Sequence, residues 1–377
     1  MIRMKKLWLS LCVCALTGTV FGQSTKGEPQ IPVYPALEEE ASFSMVMIPD
    51  PQSYVKFAAN QPLFDLQTAW VAQNIKRLNI KAALITGDMV EHNNKLVYAP
   101  LPNDYNGDQT SRQQWEAVSR ALSRLDGLVP YIACQGNHDL GYLAAEYRYS
   151  MMPDYIYPER NAAFQKTLVA TGTNYESIHT MENAAFEFKD KAWGDLLIIS
   201  FEFAPRDEAL DWAKQLIESK RYQNHKVIIL THSFLDTNGS RIVEEGYKLT
   251  PRNWAQAVWE KLIYPSKNIH MVLCGHTGTP PKIKVGEEVD YQTTTAYRVD
   301  KAADGHNVVQ MMFNSQNGDG NWNGNGGDCW LRILEFKPDG KTIGVRTFSP
   351  LFAMSRRTQH LAWRTEAYDQ FSIVLEK

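Results

Sequence analysis

Five apolar runs in this 377-residue chain each end on residues able to hold a metal ion, and no other feature limits the fold as strongly. Leu84-Ile85-Thr86 runs into Gly87-Asp88. A buried strand that stops at Gly-Asp sets one carboxylate at the mouth of a sheet. Residues 45–49 lead in the same way to Asp50-Pro51-Gln52, and residues 131–134 lead through Gln135 to Gly136-Asn137-His138-Asp139. Residues 227–230 lead through Thr231 to His232, and residues 271–274 lead to Gly275-His276-Thr277-Gly278. One Gly-Asp occurs by chance in most proteins. Five such strand ends can converge on a single centre.

The intervals between them supply the crossovers. Leu63, Leu66, Trp70, Val71, Ile75 and Leu78 recur at helical spacing between the first two runs. Ser111 with Gln114 reads as a capping box before Trp115, Val118, Leu122 and Leu125, and Asp126-Gly127 closes that helix. The tryptophans on these helices read as core packing. Strand–helix–strand alternation is the grammar of parallel βαβ units. It resumes as a strand over 195–203, a helix over 207–218, a strand over 226–230, a helix over 253–263 and a strand over 269–273. Residues 143–192, rich in Tyr, Met and Asn, lack a clear period, and an insertion with short helices is expected there.

Beyond Gly278 the pattern changes. Residues 308–313, 330–336 and 343–349 read as strands, with Pro338-Asp339-Gly340-Lys341 as a hairpin turn and residues 371–375 as a last strand. No linker precedes them, so residues 300–377 are expected to complete the second sheet in antiparallel fashion. Asp319-Gly320-Asn321-Trp322-Asn323-Gly324 imitates half of a calcium loop, but its twelfth position is Trp330, and a Gly/Asn-rich loop beside the site is the better reading.

At the other end, Arg3, Lys5 and Lys6 precede an apolar run over 7–21 that closes on Gly22. Residues 1–22 read as a secretory signal peptide rather than a membrane span, which implies a secreted or periplasmic protein. Lipoprotein anchoring is disfavoured, because Leu11 and Val13 are not small. Residues 23–41, with Pro29, Pro32, Pro35 and the run Glu38-Glu39-Glu40, read as a tether to one domain over 42–377. Cys134, Cys274 and Cys329 are too few for a disulfide framework and read as buried thiols. A net charge of −3 with mixed signs gives no basic surface for nucleic acid. No second apolar segment spans a membrane, and a monomer is expected.

In order and spacing, Asp50-Pro51-Gln52, Gly87-Asp88, Gly136-Asn137-His138-Asp139, His232 and Gly275-His276-Thr277-Gly278 resemble the calcineurin-like metallophosphoesterase superfamily, and most closely a secreted bacterial branch with an Asp-x-Gln opening motif. The chain departs from the broad pattern at Gln52 and Gly278, where histidines are usual. The resemblance implies a four-layer αββα sandwich, with residues 143–192 covering the site. It implies metal ligation by Asp88 as a bridge, by Asn137, His232 and His276 at one ion, and by Asp50 and Gln52 at another. Glu91 is left as either a ligand or an outer carboxylate, and His92 reads as an exposed loop residue.

Phosphate esters resist hydrolysis because their anions repel a nucleophile and an alkoxide leaves poorly. Two divalent ions roughly 3.5–4 Å apart generate hydroxide near neutral pH and clamp the phosphoryl oxygens. The resemblance makes His138 the acid that protonates the leaving group and Asp139 the carboxylate that orients it. The implied activity is metal-dependent hydrolysis of a phosphate mono- or diester, with a small-molecule or glycan phosphate as substrate. One or two divalent ions (Mn, Zn, Fe, Mg or Ca) are implied. The alternative is a degenerate relative that binds metal or phosphate without turnover.

Overall fold

The run before Asp50 forms β1 (Phe43–Ile48), whose residues are all buried, as expected of a strand covered on both faces. In the computed structural model, which describes residues 34–96, 107–278, 294–316 and 325–375, β1 pairs in parallel with β2 (Ile80–Ile85), and β2 with β3 (Tyr131–Ala133). The helices Gln61–Asn74 and Ser111–Leu122 are the two crossovers. The second helix is capped one residue earlier than its sequence suggests. Thr110 Oγ1 accepts from Gln113 N, and the Gln113 side chain reaches back to the Thr110 backbone.

A second sheet contains β4 (Leu168–Thr173), β5 (His179–Asp190), β6 (Gly194–Ser200), β7 (Lys226–Leu230), β8 (Ile269–Cys274), β9 (Thr294–Lys301) and β10 (Asn307–Asn314). Its order is β4-β5-β6-β7-β8-β10-β9, with β6, β7, β8 and β10 parallel to their neighbours in that run. Successive side chains of a strand face opposite sides, and β6 shows this directly. Leu196 and Ile198 join the core shared with the first sheet, whereas Leu197 and Ile199 join the core under the helix Asp207–Glu218. Helix, sheet, sheet and helix therefore stack as the four layers expected.

Two expectations are corrected. Residues 143–192 contain more than the short helices Met152–Tyr155 and Phe164–Thr167, because β4 and β5 form an antiparallel hairpin that extends the second sheet beyond β6. The C-terminal strands do not all complete the second sheet. Only β9 and β10 do so; β11 (Leu331–Phe336), β12 (Thr342–Phe348), β13 (Trp363–Arg364) and β14 (Gln370–Val374) belong to the first. The physical reason is the free edge of β1, whose N–H and C=O groups need a partner. β11 supplies it in antiparallel register, and Phe43 stacks on Phe336 at 4.6 Å between centroids, worth about 0.5–1.5 kcal/mol beyond area burial.

The expected signal segment and calcium-like loop lie outside the described residues, as does all of the expected tether before residue 34. No helix among the described residues is long and apolar enough to cross a membrane. Cys134, Cys274 and Cys329 are free and buried.

Candidate metal centre

Asp50, Asp88, Asn137, His232 and His276 all follow the C-terminal ends of parallel strands, namely β1, β2, β3, β7 and β8. In open α/β sheets that edge is where ligands bind. The glycines in these motifs let the loops approach each other. A Cβ on Gly136 would stand 2.1 Å from Asp88 Oδ1, and one on Gly275 would stand 2.3 Å from Asp50 Oδ1. Asp88 (φ 45°) and His276 (φ 70°) hold left-handed backbone without being glycine, the kind of strain that persists where surrounding structure over-determines it.

His232 is buried, and its Nδ1–H donates to the Thr86 carbonyl at 2.7 Å. That bond fixes the tautomer and leaves a lone pair on Nε2. Nε2 faces Asp88 Oδ2 at 3.2 Å, Asn137 Oδ1 at 3.1 Å and His276 Nδ1 at 3.0 Å. His276 is turned the same way, because its Nε2 lies 2.5 Å from Glu245 Oε1. Four electron-rich atoms thus converge. Ligands about 2.1 Å from an ion stand about 3–3.4 Å from one another in octahedral or tetrahedral shells, so the spacing fits a divalent cation. Burial favours neutral His232, but the carboxylates of Asp88 and Asp50 outweigh it and lift the imidazole to about 10. Burial likewise pushes Asp88 up, yet the imidazoles of His232 and His138 bring it down to about 2.

Asp50 sits beside this group but is already hydrogen-bonded. Its Oδ1 accepts from Thr86 Oγ1 at 2.7 Å, and its Oδ2 accepts from His276 N at 2.9 Å and Asn314 Nδ2 at 2.8 Å. Gln52 donates its backbone N–H to the Asp88 carbonyl at 2.9 Å. Its Oε1 is buried with no hydrogen-bond partner. An orphaned buried acceptor costs free energy unless a cation or donor meets it, so Gln52 also fits a cation-facing role.

His138 is half-buried, and its N–H donates to Asp88 Oδ1 at 2.9 Å. Its ring Nδ1 bonds the Glu91 carbonyl at 2.7 Å, leaving Nε2 as the free nitrogen. Burial opposes charge on this ring, but Asp88, Glu91 and the Glu91 carbonyl raise its pKa above the ordinary value. Asp139 does not orient it. The Asp139 carboxylate instead accepts from Val90 N at 3.1 Å and Gly136 N at 2.8 Å, pinning the loops after β2 and β3 together.

Glu91 is not gathered with Asp50 and Asp88. Its Oε2 pairs with the fully buried Lys56 ammonium at 3.3 Å, and its carboxylate neighbours are His92 and His138. His92, expected to be exposed, is 4% exposed, with neither ring nitrogen hydrogen-bonded. Burial lowers its pKa to about 4.

Glu245, Asn314 and Lys56 escape sequence reasoning, since each reaches the site from a segment without a recognisable spacing. Glu245 completes a carboxylate–histidine pair, its second oxygen held by Ser233 Oγ at 2.7 Å. Such outer partners are worth about 10–100-fold in metal affinity. Glu245→Ala is therefore expected to weaken ion binding by about that factor, measured by competition with a chelating dye. Unchanged affinity would remove Glu245 from the centre.

A family model described as calcineurin-like phosphoesterase matches residues 48–280. An uncharacterized protein of Bacillus subtilis (strain 168), YvnB, is 25% identical over 309 residues, which is 82% of this chain. The chain spans only 20% of that relative's length. Among solved structures, a dimetal phosphatase from Danio rerio covers 89% of this chain and 99% of its own at 9% identity and a TM-score of 0.47. A putative 5'-nucleotidase from Staphylococcus aureus covers 89% and 55% at 13% identity and a TM-score of 0.41. The matched segment takes in Asp50, Asp88, Asn137, His232 and His276, and the chain belongs to the calcineurin-like phosphoesterase family.

Proposed function

We propose that this protein is a metal-dependent hydrolase of phosphate mono- or diesters. Asp88, Asn137, His232 and His276 would hold a divalent ion, with Asp50 and Gln52 presenting further oxygens beside it. The observation that carries the reading is the link between acid and ligand. The backbone N–H of His138 is bonded to Asp88 Oδ1, so the free Nε2 of its ring is held in register with the ligand carboxylate. The chemistry a bound divalent ion supplies here is polarisation of the phosphoryl group and acidification of water.

The chain's own residues do the rest. The Glu91 carbonyl holds the His138 ring through Nδ1–H, and protonated Nε2 donates its proton to the departing alkoxide oxygen. Asp139 keeps the two loops that carry Asp88 and His138 in place. The leader-like segment at 1–22 supports export, and a small-molecule or glycan phosphate ester is the substrate class that reading favours. A binder without turnover is the competing reading, since Gln52 and Gly278 replace imidazoles. A fixed leaving-group acid weighs against it.

The test is phosphate release from an ester panel, using metal-stripped protein given Mn, Zn, Fe, Ca or Mg singly. Binding of phosphate with no release from any ester would favour the binder. His138→Gln is expected to keep its ion and to lose about 10²–10⁴-fold on alkyl esters, as removal of a general acid does, but under about tenfold on nitrophenyl esters. Equal losses on both would rule out proton donation by His138.

A further inference from the structure

Resting on the ion-dependent reading above, we propose that the resting centre binds one divalent ion tightly rather than two, because Asn314 occupies Asp50 where a second ion would be held. Asn314 is the last residue of β10, and the pairing of Met312 with Cys274 brings it beside the loop that carries Gly275 and His276. Its orientation is fixed by its neighbours. Asn314 Oδ1 accepts from Gln316 N at 3.0 Å, while Nδ2 faces two acceptors, Asp50 Oδ2 at 2.8 Å and the His276 carbonyl at 3.1 Å. The flipped amide would set oxygen against oxygen at both contacts, so the group presents N–H to the site and no lone pair.

Asp50 is thereby largely spent. Oδ2 takes two N–H donors, from Asn314 and His276, which uses both of its in-plane lone pairs. Oδ1 takes the Thr86 hydroxyl and keeps one. A side chain at position 278 could have added a ligand on this side, but Gly278 has none. A Cβ built there would stand 3.4 Å from Asn314 Nδ2, so Asn314 fills the adjacent space. The backbone at Gly278 is not left-handed, so the glycine is not required by its conformation.

What remains for a second ion is one lone pair of Asp50, the orphaned Gln52 Oε1 and a share of Asp88. That set holds no nitrogen and suits only a hard, weakly held cation. The Asp88, Asn137, His232 and His276 atoms, by contrast, face one another with no donor between Nε2 of His232 and either oxygen once Nδ1 carries the proton. The two halves of the centre therefore differ in kind.

The experiment counts ions on the full chain. Metal-stripped protein is dialysed against micromolar Mn(II), and bound metal per chain is measured together with the electron paramagnetic resonance spectrum. One ion per chain with an isolated-ion spectrum is expected. Two ions with an exchange-coupled spectrum would overturn the inference and leave the phosphoesterase reading standing, whereas no bound ion would overturn that reading itself. The double variant Asn314→Gly with Gly278→His releases one lone pair of Asp50 Oδ2, the other staying with His276 N, and offers an imidazole in the vacated space, and it is expected to bind two. A folded double variant that still binds one would remove Asn314 from the role assigned to it. The wild-type count decides the stoichiometry whether or not the variant folds.

Discussion

Asp88→Asn is expected to abolish tight ion binding and to reduce ester hydrolysis by at least about 10³-fold, since an ion's charge stabilisation is worth several kcal/mol and each 1.36 kcal/mol is a factor of ten. The loss should be this large because Asp88 works from both oxygens. Oδ2 faces His232 Nε2 at 3.2 Å, while Oδ1 accepts the His138 N–H at 2.9 Å. An amide in its place brings an NH2 group against either the ion or that N–H, so one contact turns repulsive whichever way it points. Metal analysis and phosphate release should fall together. Full metal content with lost activity would mean that Asp88 positions His138 without holding the ion.

The second large effect is on stability. Lys56→Met is expected to cost about 3–5 kcal/mol of unfolding free energy, because it leaves the Glu91 carboxylate buried without its partner. Lys56 is fully buried and Glu91 is 3% exposed, so water cannot take over the lost contact. The shift would be read as a lower urea midpoint at an unchanged slope. Replacing both residues with apolar side chains of similar volume should recover most of the loss. A single variant as stable as wild type would show that the carboxylate is solvated or protonated at no cost. Since the Glu91 backbone carbonyl holds the His138 ring, the same variant should also blunt His138 in catalysis.

What the sequence disclosed about this centre follows from how its candidate ligands are carried. Asp88, Asn137, His232 and His276 each close an apolar strand, so a local pattern of a few residues exposes them. The helix Asp207–Glu218 was legible to its ends for a similar reason, with its buried Ala209, Leu210, Ala213 and Ile217 at helical spacing. The β4–β5 hairpin was not. Its longer strand buries Thr180, Glu182 and Asn183, with Glu182 satisfied by Gln135 Nε2 at 2.9 Å and Thr180 Oγ1 at 2.8 Å. Polar residues paired across distant segments erase the alternation by which a strand is recognised. Local pattern also marks β11 and β12 as strands without saying which sheet they join, since partner choice is settled by open edges elsewhere. Glu245 and Asn314 bond to His276 and Asp50, residues far away in sequence, and no spacing within their own segments announces it.

The pairing of β1 with β11 ties chain order to assembly. Met45 lies opposite Leu334, so the strand that presents Asp50 takes its outer neighbour from far downstream in the sequence. A nascent chain that has not yet delivered Leu331–Phe336 carries that strand with one row of amides and carbonyls bare. Contacts of such sequence separation form late, because loop closure must precede any gain from pairing. The edge that carries Asp50 and Asp88 therefore cannot mature from its N-terminal side as synthesis proceeds; it is sealed only when β11 arrives.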